Sequence, residues 1–120
     1  MTTNPCRIGL IGLGEVGQVL ANDLHRVGGV EVCAWDRLFA VEGSEPRRAA
    51  RSLAFVRAAS SMAEAVSSSS LVISAVTAGD CLAAAGEAAP ALTRGALYLD
   101  LNSVSPRTKK IGRASCRERV

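Results

Sequence analysis

The residues best suited to do chemistry lie near the N-terminus, where Gly12, Gly14 and Gly17 form a G-x-G-x-x-G spacing. In this spacing the first glycine permits a tight turn, the second lets the backbone approach a pyrophosphate, and the third lets a helix pack closely on a strand. The free N–H groups and the positive dipole at the start of that helix favour an anion. The pattern predicts a dinucleotide site with the cofactor-binding candidates Gly12, Leu13, Gly14, Glu15, Val16 and Gly17.

The elements around these glycines have the order that a dinucleotide site needs. The apolar run from Ile8 to Leu13 predicts a strand that enters the turn. Beyond the turn, apolar residues three or four apart predict one face of a helix, which Gly28 and Gly29 end: Val16, Val19, Leu20, Leu24 and Val27. A turn that joins strand to helix for steric reasons alone is the alternative, but this context favours a binding site.

An acidic residue follows the next predicted strand, Val30 to Trp35. Asp36 lies 19 residues beyond Gly17, where a carboxylate would accept hydrogen bonds from the adenosine ribose and repel a 2′-phosphate. It therefore favours NAD over NADP. Arg37 leaves NADP as an alternative cofactor, because its guanidinium can stack on adenine or pair with a 2′-phosphate.

The polar stretch 39–52 is predicted to be a loop with a short helix beginning at Pro46. Its arginines, at positions 47, 48 and 51, allow two interpretations. They lie near the adenosine end of a cofactor, or they form a solvated charged face, which is the commoner meaning of such a cluster.

The rest of the pattern alternates apolar runs with helix-compatible segments. Strands are predicted at 54–58, 71–76 and 96–99, and helices at 61–66, opened by a capping box, and at 77–89. This alternation predicts an α/β fold, a doubly wound parallel sheet of the Rossmann type in one domain. Ligands of such sheets bind beyond the carboxyl ends of the strands, so Val76 and Thr77 are expected on the same rim as Asp36.

Composition limits the class of protein. A chain of 120 residues is expected to form one domain, and it is short for a complete two-substrate enzyme of this type. No apolar run is long enough to span a bilayer. A cytoplasmic location without membrane contact is therefore expected. Four scattered cysteines and one histidine indicate neither a metal site nor a disulfide framework. The net charge is +3, but the three arginines and one glutamate of residues 111–120 supply most of it. The nearly neutral remainder, with 3% aromatic residues, gives little support to nucleic-acid binding.

A second polar string, DLNSVSP at residues 100–106, follows the fifth predicted strand. Its amide and hydroxyl groups would suit a carboxylate, and an Asx- or Ser-type turn that ends the strand is an equally good interpretation. Together with GLGEVG, the string resembles the β-hydroxyacid dehydrogenase superfamily, which includes 6-phosphogluconate and 3-hydroxyisobutyrate dehydrogenases, over most of residues 6–110.

The resemblance implies an N-terminal domain that binds NAD or NADP in an enzyme acting on a small hydroxy acid or related carboxylate, with imine reduction as a sub-case. It implies that Gly12, Gly14 and Gly17 bind the pyrophosphate. It also implies that Val76 and Thr77 lie beside the cofactor. It also implies that Asn102 and Ser103 bind substrate.

In that superfamily the general acid/base is a lysine of a later helical domain, which commonly forms the dimer. Lys109 and Lys110 come too soon after DLNSVSP for this role, so no catalytic residue is assigned and the 120 residues alone are expected to be inactive. The whole protein is expected to be a homodimer. A non-catalytic Rossmann module that senses a nucleotide or binds a partner is the alternative.

The last residues differ in character from those before them. Apolar periodicity ends near Lys110, and arginines crowd into residues 111–120. The domain is therefore expected to span residues 1–110. The remaining ten residues are interpreted either as a disordered basic tail or as non-native sequence, because they resemble the translation of a common sequencing adapter.

Overall fold

Five parallel strands form the middle layer of the structure, a computed structural model that describes residues 6–67 and 69–101. The sheet order is β3-β2-β1-β4-β5. The strands are β1 Cys6–Ile11, β2 Val30–Trp35, β3 Val56–Ala58, β4 Leu71–Ser74 and β5 Leu97–Asp100. After β3 the chain returns to the other side of β1, so the winding direction reverses between β1 and β4. The predicted doubly wound parallel sheet is confirmed, and a crevice is expected where the winding reverses.

Four α-helices lie on the two faces of the sheet: α1 Glu15–Val27, α2 Glu45–Ser52, α3 Met62–Ser67 and α4 Cys81–Ala88. Because side chains alternate along a strand, Ile8 and Leu10 of β1 share a core with α1 and α2, whereas Ile11 packs with α3 and α4. Val72 of β4 belongs to the second core, and Ile73 to the first. The sheet is therefore apolar on both faces, as parallel sheets usually are.

Local sequence signals set the starts of two helices. The Ser44 hydroxyl accepts from the Arg47 N–H at 3.3 Å and caps α2, which carries Pro46 in its first turn. The predicted capping box at α3 forms in a shifted version. The Ser61 hydroxyl accepts from the Glu64 N–H at 3.1 Å, but the Glu64 carboxylate accepts from the N–H of Ser60, also at 3.1 Å.

The buried face of α1 differs from the one predicted. Gly17 and Ala21 are buried, and Leu20 and Leu24 pack beside them. The predicted face was wrong at three positions, since Val16 and Val19 are each 58% exposed and Val27 is 79% exposed. The reason is steric: only the smallest side chains allow the helix to lie this close to the sheet, so Gly17 and Ala21 displace the larger valines from the contact.

Two strand ends also differ from expectation. β1 ends at Ile11 rather than Leu13, because Gly12 turns the backbone with φ +97°. β4 ends at Ser74 rather than Val76, and α4 begins at Cys81 rather than Thr77, after a 3-10 turn over Ala78–Asp80. Val76 and Thr77 therefore leave the sheet as a loop at the carboxyl end of β4. Among the described residues, no helix is long and apolar enough to cross a membrane.

Substitution of Gly17 by alanine tests the approach of α1 to the turn. A Cβ at this position would lie 2.2 Å from the Gly12 carbonyl oxygen, so α1 must move, and we expect a loss of about 1–3 kcal/mol in the free energy of unfolding. Gly86→Ala in α4 is the matched control, since its Cβ would meet nothing within 4 Å. Urea unfolding should show destabilisation for Gly17→Ala and none for Gly86→Ala. Equal midpoints for Gly17→Ala and the native chain would contradict this packing.

The cysteines allow a second test of the core. Burial raises the pKa of the Cys33 thiol, although the nearby Arg57 opposes the shift, whereas Cys6 is exposed. Because the thiolate is the reactive form, alkylation followed by peptide mapping at mildly alkaline pH should modify Cys6 well before Cys33. In denaturant the two rates should converge. Early modification of Cys33 in the folded chain would show that the contact between β2 and α3 is open.

Candidate cofactor site

The glycine turn is held between the two strands that flank β1. The Gly12 N–H donates to the Trp35 carbonyl of β2 at 2.8 Å. On the β4 side, a Cβ at Gly12 would lie 2.8 Å from the Ala75 carbonyl oxygen. The turn therefore fits only because Gly12 lacks a side chain and tolerates a positive φ.

Gly14 has a different environment from the other two glycines. It is the N-cap of α1 and provides no side-chain cap for the first turn of the helix. A Cβ at Gly14 would have no protein atom within 4 Å. Packing within the chain therefore does not require glycine here, whereas the close approach of a ligand to the backbone would.

Asp36 connects β2 to the glycine turn. One carboxylate oxygen accepts from the Leu13 N–H at 2.8 Å, and the other accepts from the Leu38 N–H at 2.9 Å. An ionised carboxylate has about four acceptor positions, so lone pairs remain for ribose hydroxyls. Asp36 thus has a structural role that the sequence did not reveal, beside its predicted role toward the cofactor.

A cavity of about 590 Å³ lies at the carboxyl ends of the strands. Its size is typical of small-molecule sites. Six of the predicted cofactor-binding residues line it: Gly12, Gly14, Asp36, Arg37, Val76 and Thr77. The structure thus brings together the residues that follow β1, β2 and β4.

The other predicted site residues lie elsewhere. Leu13 and Gly17 are buried, and Glu15 and Val16 are exposed in the first turn of α1. None of these four is part of the cavity lining. Asn102 and Ser103 fall outside the described residues. The substrate role of those two residues stays a prediction.

Sequence reasoning missed several residues of the cavity wall. Asp80 and Glu87 come from the α4 side, Glu45 comes from the start of α2, and Trp35 and Met62 add apolar surface. Asp80 was not predicted as a site residue, because the helix was expected to begin at Thr77. The Thr77-x-x-Asp80 spacing, typical of a capped helix start, was the available signal.

The charges that line the cavity are mainly negative. Its wall carries one guanidinium, Arg37, and four carboxylates, from Asp36, Glu45, Asp80 and Glu87. The arginines at positions 47, 48 and 51 are not in the lining, and Arg48 and Arg51 are exposed. For Arg48 and Arg51 the structure supports a solvated face, whereas the half-buried Arg47 donates to the Phe39 carbonyl at 3.3 Å. Within the described part of the chain, no group of three histidine, cysteine or acidic side chains is placed to hold a metal ion.

The parallel sheet, the glycine turn and the cavity beside it together define a Rossmann-type nucleotide-binding domain. The profile of the NAD binding domain of 6-phosphogluconate dehydrogenase matches residues 7–119. The chain therefore belongs to this family. A search of curated proteins gave no significant match.

Solved structures agree with this assignment. A conserved hypothetical protein from Sinorhizobium meliloti 1021 is 30% identical, with a TM-score of 0.83 over 94% of this chain and 38% of its own. A conserved protein of unknown function, similar in structure to 3-hydroxyacid dehydrogenases, is 34% identical, with a TM-score of 0.75 over 92% of this chain and 39% of its own.

More distant structures share the fold. The 3-hydroxyisobutyrate dehydrogenase of Mycobacterium tuberculosis, solved with L-serine, has 20% identity and a TM-score of 0.82, over 96% of this chain and 38% of its own. The present chain thus spans less than two fifths of the length of these three proteins.

Replacement of Asp36 tests its structural role independently of any ligand. Asp36→Ala removes the acceptors of two N–H groups, and one of these belongs to the fully buried Leu13. We expect the free energy of unfolding to fall by about 1–3 kcal/mol, with faster hydrogen exchange at the Leu13 amide. Asp36→Asn, which keeps one carbonyl acceptor, should lose less. Unchanged exchange at Leu13 in the alanine variant would contradict the assigned hydrogen bond.

Proposed function

We propose that this chain forms the cofactor-binding part of an NAD(P)-dependent oxidoreductase that transfers hydride between nicotinamide and a small hydroxy acid or related carboxylate. The observation that carries the proposal is Gly14, the N-cap of α1, which lines the cavity and has open space where a side chain would stand. Because Gly14 also lines the cavity, a ligand that must approach its backbone would account for a glycine that internal packing does not require.

The residues present fit a dinucleotide. The N–H groups of the first turn of α1 lack a side-chain cap, so they can donate to a pyrophosphate, and the helix dipole favours the same anion. Asp36 keeps lone pairs for the adenosine ribose. Val76 and Thr77 line the wall from the β4 side. In this proposal the bound dinucleotide supplies or accepts the hydride, and these residues hold and orient it.

We propose NAD as the preferred cofactor. Asp36 and the three other carboxylates of the cavity disfavour the extra negative charge of a 2′-phosphate. Solved neighbours of this fold include a prephenate dehydrogenase with NAD⁺ and an imine reductase with NADP⁺, so the fold itself accepts either cofactor. The preference must come from particular side chains.

We assign proton transfer to a residue outside the described part of the chain. The solved relatives are more than twice as long as the matched segment, which supports a second region that closes over the substrate and supplies the acid/base group. Asn102 and Ser103 stay proposed substrate contacts. We further propose a homodimer formed by that second region, a cytoplasmic location, and a small molecule rather than nucleic acid as the substrate.

Gly14→Ala is the sharpest test of the cofactor site. Its backbone, with φ −80° and ψ −156°, suits alanine, and the new Cβ meets no protein atom. We expect the free energy of unfolding to change by less than about 1 kcal/mol, since alanine is only a weaker N-cap. The dissociation constant for NADH, measured by fluorescence titration of the 120-residue chain, should rise more than about tenfold, because the Cβ intrudes on the pyrophosphate.

Gly86→Ala again serves as the control, because Gly86 is exposed in α4 and outside the cavity. NADH should bind this variant as it binds the native chain. Equal affinity of the Gly14→Ala and native chains would contradict a pyrophosphate at this turn. Lack of NAD(H) and NADP(H) binding by the native chain would overturn the proposal as a whole.

The reading frame in source DNA separates the enzyme from a non-catalytic module that senses a nucleotide. We expect amplification of genomic DNA across the codons for residues 105–120 to show a frame that continues into a helical region with a lysine. A native stop codon at residue 120 would favour the sensing module. The same sequence would decide whether residues 111–120 are native.

A further inference from the structure

An ion pair in the cavity wall joins the segments that follow β2 and β4. Arg37 Nη2 lies 3.1 Å from Asp80 Oδ2, and Arg37 Nη1 lies 3.4 Å from Asp80 Oδ1, so the guanidinium meets the carboxylate through two nitrogens. Both residues line the cavity. β2 and β4 are the two neighbours of β1, so the pair joins segments that follow strands about two strand spacings, roughly 10 Å, apart.

We infer that Asp80 determines the cofactor preference of this site, by occupying Arg37 and by placing its own negative charge where a 2′-phosphate would bind. The inference rests on the proposed dinucleotide site. An arginine directly after Asp36 would ordinarily be the group that pairs with a 2′-phosphate. Here its guanidinium already has a carboxylate partner. A 2′-phosphate must displace that partner and remain close to it, whereas the 2′-hydroxyl of NAD needs no displacement.

The orientation of Asp80 is fixed locally. The Thr77 hydroxyl donates to Asp80 Oδ2 at 2.7 Å, and the Asp80 N–H donates to the Thr77 carbonyl at 2.9 Å. The carboxylate is 34% exposed, while the Arg37 side chain is 69% exposed. The acid is therefore the more constrained partner, and the arginine is the one free to swing away. Thr77 becomes a positioning residue for Asp80.

The other acidic residues of the cavity also disfavour a 2′-phosphate. Asp36, Glu45 and Glu87 add three carboxylates to the wall, and Arg37 is the only cationic residue among the lining residues of the described chain. With Asp80 paired to it, Arg37 contributes little net positive charge. Removal of Asp80 would give the cavity an unpaired guanidinium beside the ribose site. One substitution should therefore change the response of the site to a 2′-phosphate.

The experiment compares dissociation constants of NADH and NADPH for the 120-residue chain, by fluorescence titration at low ionic strength. The native chain should prefer NADH. In Asp80→Asn we expect NADPH to bind about tenfold more tightly while NADH affinity changes by less than about threefold, because a partly exposed ion pair and one like charge are lost. The gain should shrink at high salt, which screens exposed charges.

Two further variants test whether the effect of Asp80 depends on its place in the cavity and on Arg37. Asp23→Asn is the matched control: Asp23 also pairs with an arginine, at 2.6 Å from Arg26, but lies outside the cavity. It should leave the ratio of the two dissociation constants unchanged. In Arg37→Gln/Asp80→Asn the tighter NADPH binding should disappear, because no guanidinium remains to meet the phosphate.

The outcomes separate this inference from the proposed function. If the native chain binds NADH and Asp80→Asn does not change the ratio, the inference is wrong and the cofactor site stands. If the gain for NADPH persists without Arg37, the part assigned to the arginine is wrong. A native chain that binds neither dinucleotide overturns both. Circular dichroism melting of each variant confirms that the ratios come from folded protein.

Discussion

The contact between Gly17 and the Gly12 carbonyl is the constraint on which the rest of the site depends. A Cβ at Gly17 would lie 2.2 Å from that oxygen, so α1 can reach this position only with glycine there. The contact places the N-terminus of α1 directly after the turn, where Gly14 leaves its backbone open. A larger residue at Gly17 would move α1 away from the turn, and with it the backbone that we propose binds the pyrophosphate.

The residues around this contact serve both the fold and the site. Asp36 holds the Leu13 amide and is also the proposed ribose ligand, so it fixes the height of the turn relative to β2. Thr77 orients Asp80, and Asp80 holds Arg37 across the cavity. The residues that stabilise this part of the fold therefore also set the geometry that would select a cofactor. Gly14 is the exception, because no internal contact requires it.

Apolar periodicity and residue spacing predicted three features of the structure correctly. The order of strands and helices, the turn at Gly12 and the position of Asp36 at the end of β2 agree with the structure. The exposure of Val16 and Val19 was missed, because a helical face defined by apolar residues ignores how closely Gly17 lets the helix approach. The Arg37–Asp80 pair joins residues 43 positions apart, and only the order of the strands brings them together.

A ¹H–¹⁵N spectrum of the 120-residue chain, recorded with and without NADH, tests directly whether a dinucleotide binds at the glycine turn. We expect the largest shifts on the amides of Gly12, Gly14 and Val16, with a second group at Arg37 and Thr77. Amides at the opposite end of the sheet, such as Gly29 and Gly95, should stay in place. Shifts confined to that opposite end, or no shifts at saturating NADH, would contradict a dinucleotide site built on the glycine turn.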